Sequence, residues 1–106
     1  MLDVDAFTVR VIEADDEVRV LVCGDIDLAS APMLSAAIDD AASRGSGRVV
    51  VDLSAAPFID SCGISALVRA QHHLDGWSAL LLRSPTTQAR KVFAVTGVDH
   101  LLMIED

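Results

Sequence analysis

Asp60, Ser61 and Cys62 are the residues whose types and order best suit chemistry. They follow an apolar run, Val49-Val50-Val51, and a proline-bearing loop through Pro57 and Ile59. A strand that ends in such a loop delivers its serine to the start of a helix. A nucleophilic serine needs a general base within hydrogen-bond reach. His72 and His73 lie about ten residues along the same expected helix, roughly 15 Å away at ~1.5 Å per residue. Only His100, far along the chain, could serve. The hydrolase elbow G-x-S-x-G also fails, because Ile59 stands where its first glycine should be. Cys62 gains some thiolate character at a helix start, but Asp60 beside it opposes that. A small hydrolase using Ser61 or Cys62 is therefore the weakest of the functions weighed.

Other chemistries fare no better. There is no GxxxxGK[ST] and no GxGxxG, and Lys91 is the single lysine, so no nucleotide cofactor is expected. Adjacent helical residues point about 100° apart, so His72-His73 reads as a solvated pair rather than a metal site. Cys23 and Cys62 have no CxxC or Cys/His metal spacing and read as reduced thiols near the core. What remains for Ser61 is a helix cap, the plainer role, or a phosphoacceptor. The two are compatible, since a phosphate at a helix start meets free N–H groups and the favourable end of the dipole.

The rest of the chain must position that serine. At 106 residues with 52% apolar and 23% charged side chains, one globular domain is expected. Sixteen acidic residues against eight basic ones give a net charge of -8. With no basic cluster, direct binding to nucleic acid or to an anionic membrane is not expected. Apolar runs such as Ala79-Leu82 fall far short of the ~20 residues of a membrane helix, and Met1-Leu2-Asp3 begins no signal peptide. A cytoplasmic protein is the expectation.

Phe7-Ile12 and Glu17-Cys23 alternate apolar and polar residues across the turn Ala14-Asp16, which predicts an antiparallel hairpin. Gly24 ends the second strand. Ser30 is a helix cap with Pro32 in the first turn, and Leu34, Ala37, Ile38 and Ala41 form the buried stripe. Ser43 to Gly47 connects to Val49-Val51, whose unbroken apolar run predicts a strand covered by helices on both faces. Ile64, Leu67, Val68 and Leu74 mark a second helix that stops at Gly76. Ser78-Leu82 is a strand. Ser84 caps a third helix with Pro85 in its first turn and Gly97 at its end, and Leu101-Ile104 is a last strand. The predicted fold is α/β, a single domain over 1–106. Its mixed sheet opens with an antiparallel hairpin and continues through parallel βα crossovers.

Phe58-Ile59-Asp60-Ser61-Cys62-Gly63-Ile64 resembles the phosphorylation-loop motif of STAS domains, specifically of bacterial anti-sigma factor antagonists. Gly24-Asp25-Ile26-Asp27, Val49 to Ser54, and Ser84-Pro85 with Val92-Phe93 and Gly97 are similar to further family patterns, in the same order. The resemblance implies an antagonist that binds an anti-sigma factor serine kinase when unphosphorylated, so releasing a sigma factor. Phosphorylation of Ser61 by that kinase ends the complex, and a serine phosphatase restores it. Asp27, Asp60, Ser61, Cys62, Gly63, Ile64 and Ser84 are the partner-binding positions implied. The chain would then be a substrate and ligand, not an enzyme. If Asp27 is brought near, each like-charge pair at ~6 Å costs about 2–3 kcal/mol at a dielectric of ~20, enough to switch a partner. Cys62 replaces a hydroxyl residue common in the family, which concentrates phosphorylation on Ser61. Many relatives continue into a further helix beyond the last strand. Apolar surface left by its absence would be exposed or paired in a homodimer. The runner-up function is a non-switching STAS scaffold module in a larger signalling assembly.

Overall fold

The alternating residues of β1 (Thr8–Glu13) and β2 (Glu17–Cys23) pair antiparallel, with Val9 opposite Val22 and Val11 opposite Val20. The Ala14 N–H donates to the Glu17 carbonyl at 2.8 Å and closes the turn. The computed structural model describes residues 7–44, 47–74 and 80–106. Strands β3 (Arg48–Ala55), β4 (Leu80–Arg83) and β5 (Met103–Glu105) then add in parallel, giving the order β1-β2-β3-β4-β5. Helices α1 (Ala31–Arg44), α2 (Ser61–Leu74) and α3 (Thr87–Thr96) make the crossovers. The α/β fold with a mixed sheet is as expected. Gly76, Ser78 and Ala79, expected to end α2 and begin β4, lie outside the described residues, as do Gly45 and Ser46.

All three helices cover the same face. Leu34 and Ile38 of α1, Leu67 and Leu74 of α2, and Phe93 of α3 share one buried cluster with Val18, Val20, Val49, Val51, Leu80 and Leu82. Those strand residues are opposite one another in the pairing register, so they point the same way. The expectation that helices bury both faces of Val49-Val51 is therefore overturned. Val50 points to the other face, which carries no helix among the described residues, yet its exposure is 0%. The register explains this. Val50 lies opposite Arg19 of β2, Arg48 lies opposite Glu17, and Asp52 lies opposite Arg83 of β4. An ion pair from Glu17 to Arg83, 3.0 Å long, must cross diagonally above Val50. Arg19 reaches Glu17 at 2.6 Å and Arg83 reaches Glu105 at 2.7 Å, which extends this charged roof from β2 across to β5.

Hydrogen bonds from Arg19 and then Arg83 hold the Glu17 carboxyl below its ordinary value of 4.5. Because the folded state lowers that value, the pairing stabilises the fold above the ordinary carboxylate range. It is lost as pH falls through the lowered folded value. Stability measured by urea unfolding should therefore fall more steeply as pH drops below the ordinary carboxylate range in the native protein than in Glu17→Gln. Equal slopes would mean the bridge contributes nothing.

Two boundaries differ from expectation. Thr86, not Ser84, caps α3: its side chain accepts from the Ala89 N–H at 3.2 Å. Ser84 instead takes a left-handed turn with φ 54°, and Pro85 stays outside the helix. The last strand begins two residues later than expected, at Met103. A 3-10 turn, Val98–His100, precedes it and Leu102 plugs the core. Gly97 ends α3 with φ 78°, as its position implied. Cys23, expected near the core, is exposed. No helix among the described residues is long and apolar enough to cross a membrane.

Candidate functional site

Beyond β2 and β3 the two chains stay side by side through a single parallel bridge, Ile26 to Ile59. The Ile26 N–H donates to the Phe58 carbonyl at 2.9 Å, and the Asp60 N–H donates to the Ile26 carbonyl at 3.1 Å. Each isoleucine is buried, and each is followed by an aspartate that caps what comes next. Asp27 Oδ1 accepts from the N–H groups of Ala29 and Ser30 at 3.0 and 3.1 Å, shaping the turn before α1. Asp60 Oδ1 accepts from Cys62 and Gly63 at 2.8 and 3.2 Å, which caps α2. The bridge thus makes Asp27 and Asp60 the next residues of two adjoining chain segments.

Capping by Asp60 corrects the reading of Ser61. Ser61 is the first residue of α2 rather than its cap, it is exposed, and its hydroxyl has no hydrogen-bond partner among the described residues. Two of the N–H groups expected to greet a phosphate, those of Cys62 and Gly63, are taken by the Asp60 carboxylate. A phosphate on Ser61 would compete with that carboxylate for these two donors. Ser30 shows the same division of labour. It precedes α1 as expected, but its hydroxyl accepts the Asp27 N–H at 2.9 Å and donates to the Asp25 carbonyl at 2.7 Å, bracing the loop instead of the helix.

The other expected positions separate into surface and support. Cys62 is half-buried. Gly63 and Ile64 are buried, and a Cβ on Gly63 would stand 2.5 Å from Ile26 and 2.7 Å from Ile59. Only a glycine lets α2 settle onto the bridge. Ser84 lies at the end of β4, where its N–H donates to the Glu105 carbonyl at 2.7 Å, and it makes no hydrogen bond to the Ser61 loop among the described residues. His72 and His73 are exposed on α2, as expected.

Ser61 opens onto a groove of about 640 Å³ between α1 and α2, with Leu28, Pro32 and Asp39 on one wall and Cys62, Ser65 and Arg69 on the other. Leu28 is 75% exposed and Phe58 is 42% exposed. Sequence reasoning passed over Leu28, although a large apolar residue inside the polar turn Asp27–Ser30 is itself a signal of contact.

A family model described as "Mlab, STAS domain" matches residues 9–105. The chain belongs to the STAS domain family. Among solved structures, an anti-sigma factor antagonist from Mycobacterium paratuberculosis superposes with a TM-score of 0.85 at 27% identity, covering 99% of this STAS chain and 90% of that one. A putative anti-sigma factor antagonist from Thermotoga maritima gives 0.77 at 21% identity over 94% and 86%. The unphosphorylated form of the antagonist SpoIIAA gives 0.67 at 21% identity over 93% and 87%. These last two share the STAS fold. Comparison with curated protein sequences gives no match.

Proposed function

We propose that this STAS protein is an anti-sigma factor antagonist switched by phosphorylation of Ser61. Unphosphorylated, it binds an anti-sigma factor that is also a serine kinase, and a sigma factor is released. The kinase transfers the γ-phosphate of ATP to the Ser61 hydroxyl, leaving ADP, and the complex dissociates. A serine phosphatase hydrolyses the ester and resets the switch in the cytoplasm. The chain is substrate and ligand rather than enzyme.

The observation that carries this reading is an exposed hydroxyl at the first residue of α2 with no hydrogen-bond partner among the described residues, beside a carboxylate already engaged as the cap. Asp60 has taken over the capping that would otherwise occupy Ser61, so the hydroxyl has no structural duty. Asp27, Asp60, Ser61 and Cys62 meet the partner, with Leu28 and Phe58 as apolar contacts. Gly63 and Ile64 act from beneath, and Ser84 borders the surface. The likeness to an antagonist at 27% identity supports the same role. Incubation with ATP and a kinase captured by the wild-type protein should add a single phosphate, absent in Ser61→Ala. Phosphate retained by Ser61→Ala would refute the assignment.

A further inference from the structure

Peptide groups along an extended segment face alternate sides. The Phe58 carbonyl and the Asp60 N–H both face Ile26, so the Ile59 N–H between them points the opposite way. In the sheet that side belongs to β4, but β4 has already ended at Arg83. Ile59 is 1% exposed, so bulk water cannot easily serve the orphaned donor. The acceptor is Oε1 of Gln88, at 3.2 Å, reaching across from the first turn of α3. Two residues earlier, the Thr86 hydroxyl donates to the Ala56 carbonyl at 3.4 Å while also capping α3. The start of α3 therefore replaces the missing strand and holds the loop from the side opposite Ile26.

We propose that Gln88 is the positioning residue for Ser61. Its amide oxygen pins Ile59, and through the bridge and the Asp60 cap it fixes the geometry in which the hydroxyl meets the kinase. This inference rests on the reading of Ser61 as the switch. Without the acceptor, the buried Ile59 N–H must find water, and lifting the loop off Ile26 and Gly63 gives it that access. Ser61 then moves with it, although nothing at Ser61 itself has changed.

The test uses the whole protein with Gln88→Leu, which keeps apolar bulk but no acceptor, and Gln88→Glu, which keeps an oxygen at the same reach. In Gln88→Leu, hydrogen exchange at the Ile59 amide should quicken about tenfold or more while β3 and β4 amides stay unchanged. Affinity for the kinase captured by the wild type should fall, up to about tenfold, in proportion to the displaced fraction of the loop. Gln88→Glu, which keeps both the length and the acceptor, should retain protection of Ile59, and exchange there as fast as in Gln88→Leu would overturn the role of the acceptor. Unchanged Ile59 protection in Gln88→Leu overturns the proposal. So does full kinase affinity in a variant whose Ile59 amide has lost its protection entirely. Failure of the Ser61 reading shows itself separately, as Ser61→Asp retaining the kinase.

Discussion

Ser61→Asp should lose affinity for the kinase by about a hundredfold or more, while its melting temperature stays near that of the wild type. A hundredfold corresponds to about 2.7 kcal/mol. Burying one unpaired carboxylate at a packed contact costs at least that much. Asp60 and Asp27 already place two carboxylates at this end of the sheet, so the new charge adds to a negative cluster. The fold is spared because Ser61 is exposed and makes no hydrogen bond among the described residues. Titration against the captured kinase, with thermal unfolding in parallel, measures both. Unchanged affinity would remove charge from the mechanism, and a large drop in melting temperature would mean that Ser61 has a structural role.

Gly63→Val should be the most damaging single change near the site, although it adds only three carbons. A Cβ alone would stand 2.5 Å from Ile26 and 2.7 Å from Ile59, side chains that are themselves locked in the core. Overpacking of this kind costs about 1–3 kcal/mol for a modest insertion, and valine carries two further methyl groups. The better helix propensity of valine returns only a few tenths of a kcal/mol. A net loss of about 3 kcal/mol lowers the melting temperature by roughly 10–20 °C for a domain of this size. The strain enters at the Ile26–Ile59 bridge, so partner affinity should fall even at temperatures where the variant is folded. Thermal unfolding together with kinase titration checks both effects, and a variant with wild-type stability would show that α2 can shift freely.

Local pattern determined much of this protein. Alternation in Phe7–Ile12 and Glu17–Cys23 pointed to the hairpin, because a half-buried strand has period two. Helical spacing of Leu34, Ile38 and Ala41, and of Ile64, Leu67 and Leu74, located two helices and their buried stripes. Gly97 marked the end of the third, because that turn needs a positive φ. Phe58 to Ile64 marked the candidate site, and the STAS family its likeness pointed to is the one the chain belongs to.

Side-chain partners far apart in the sequence were decided only by the tertiary structure. Asp60 and Ser61 are both good caps, and nothing local says which carboxyl or hydroxyl will meet the N–H groups of α2. Docking on Ile26 made Asp60 the cap and freed Ser61. Likewise Ser84 and Thr86 are both plausible caps for α3, and contact with Ala56 selects Thr86. An unbroken Val49-Val50-Val51 looks the same under a helix as under an ion pair, so the roof of Glu17 and Arg83 was invisible. Gln88 gave no signal at all, because its value lies in a donor 29 positions away that β4 leaves unpaired. Periodicity records which face is dry, and only the folded chain records which polar group answers which.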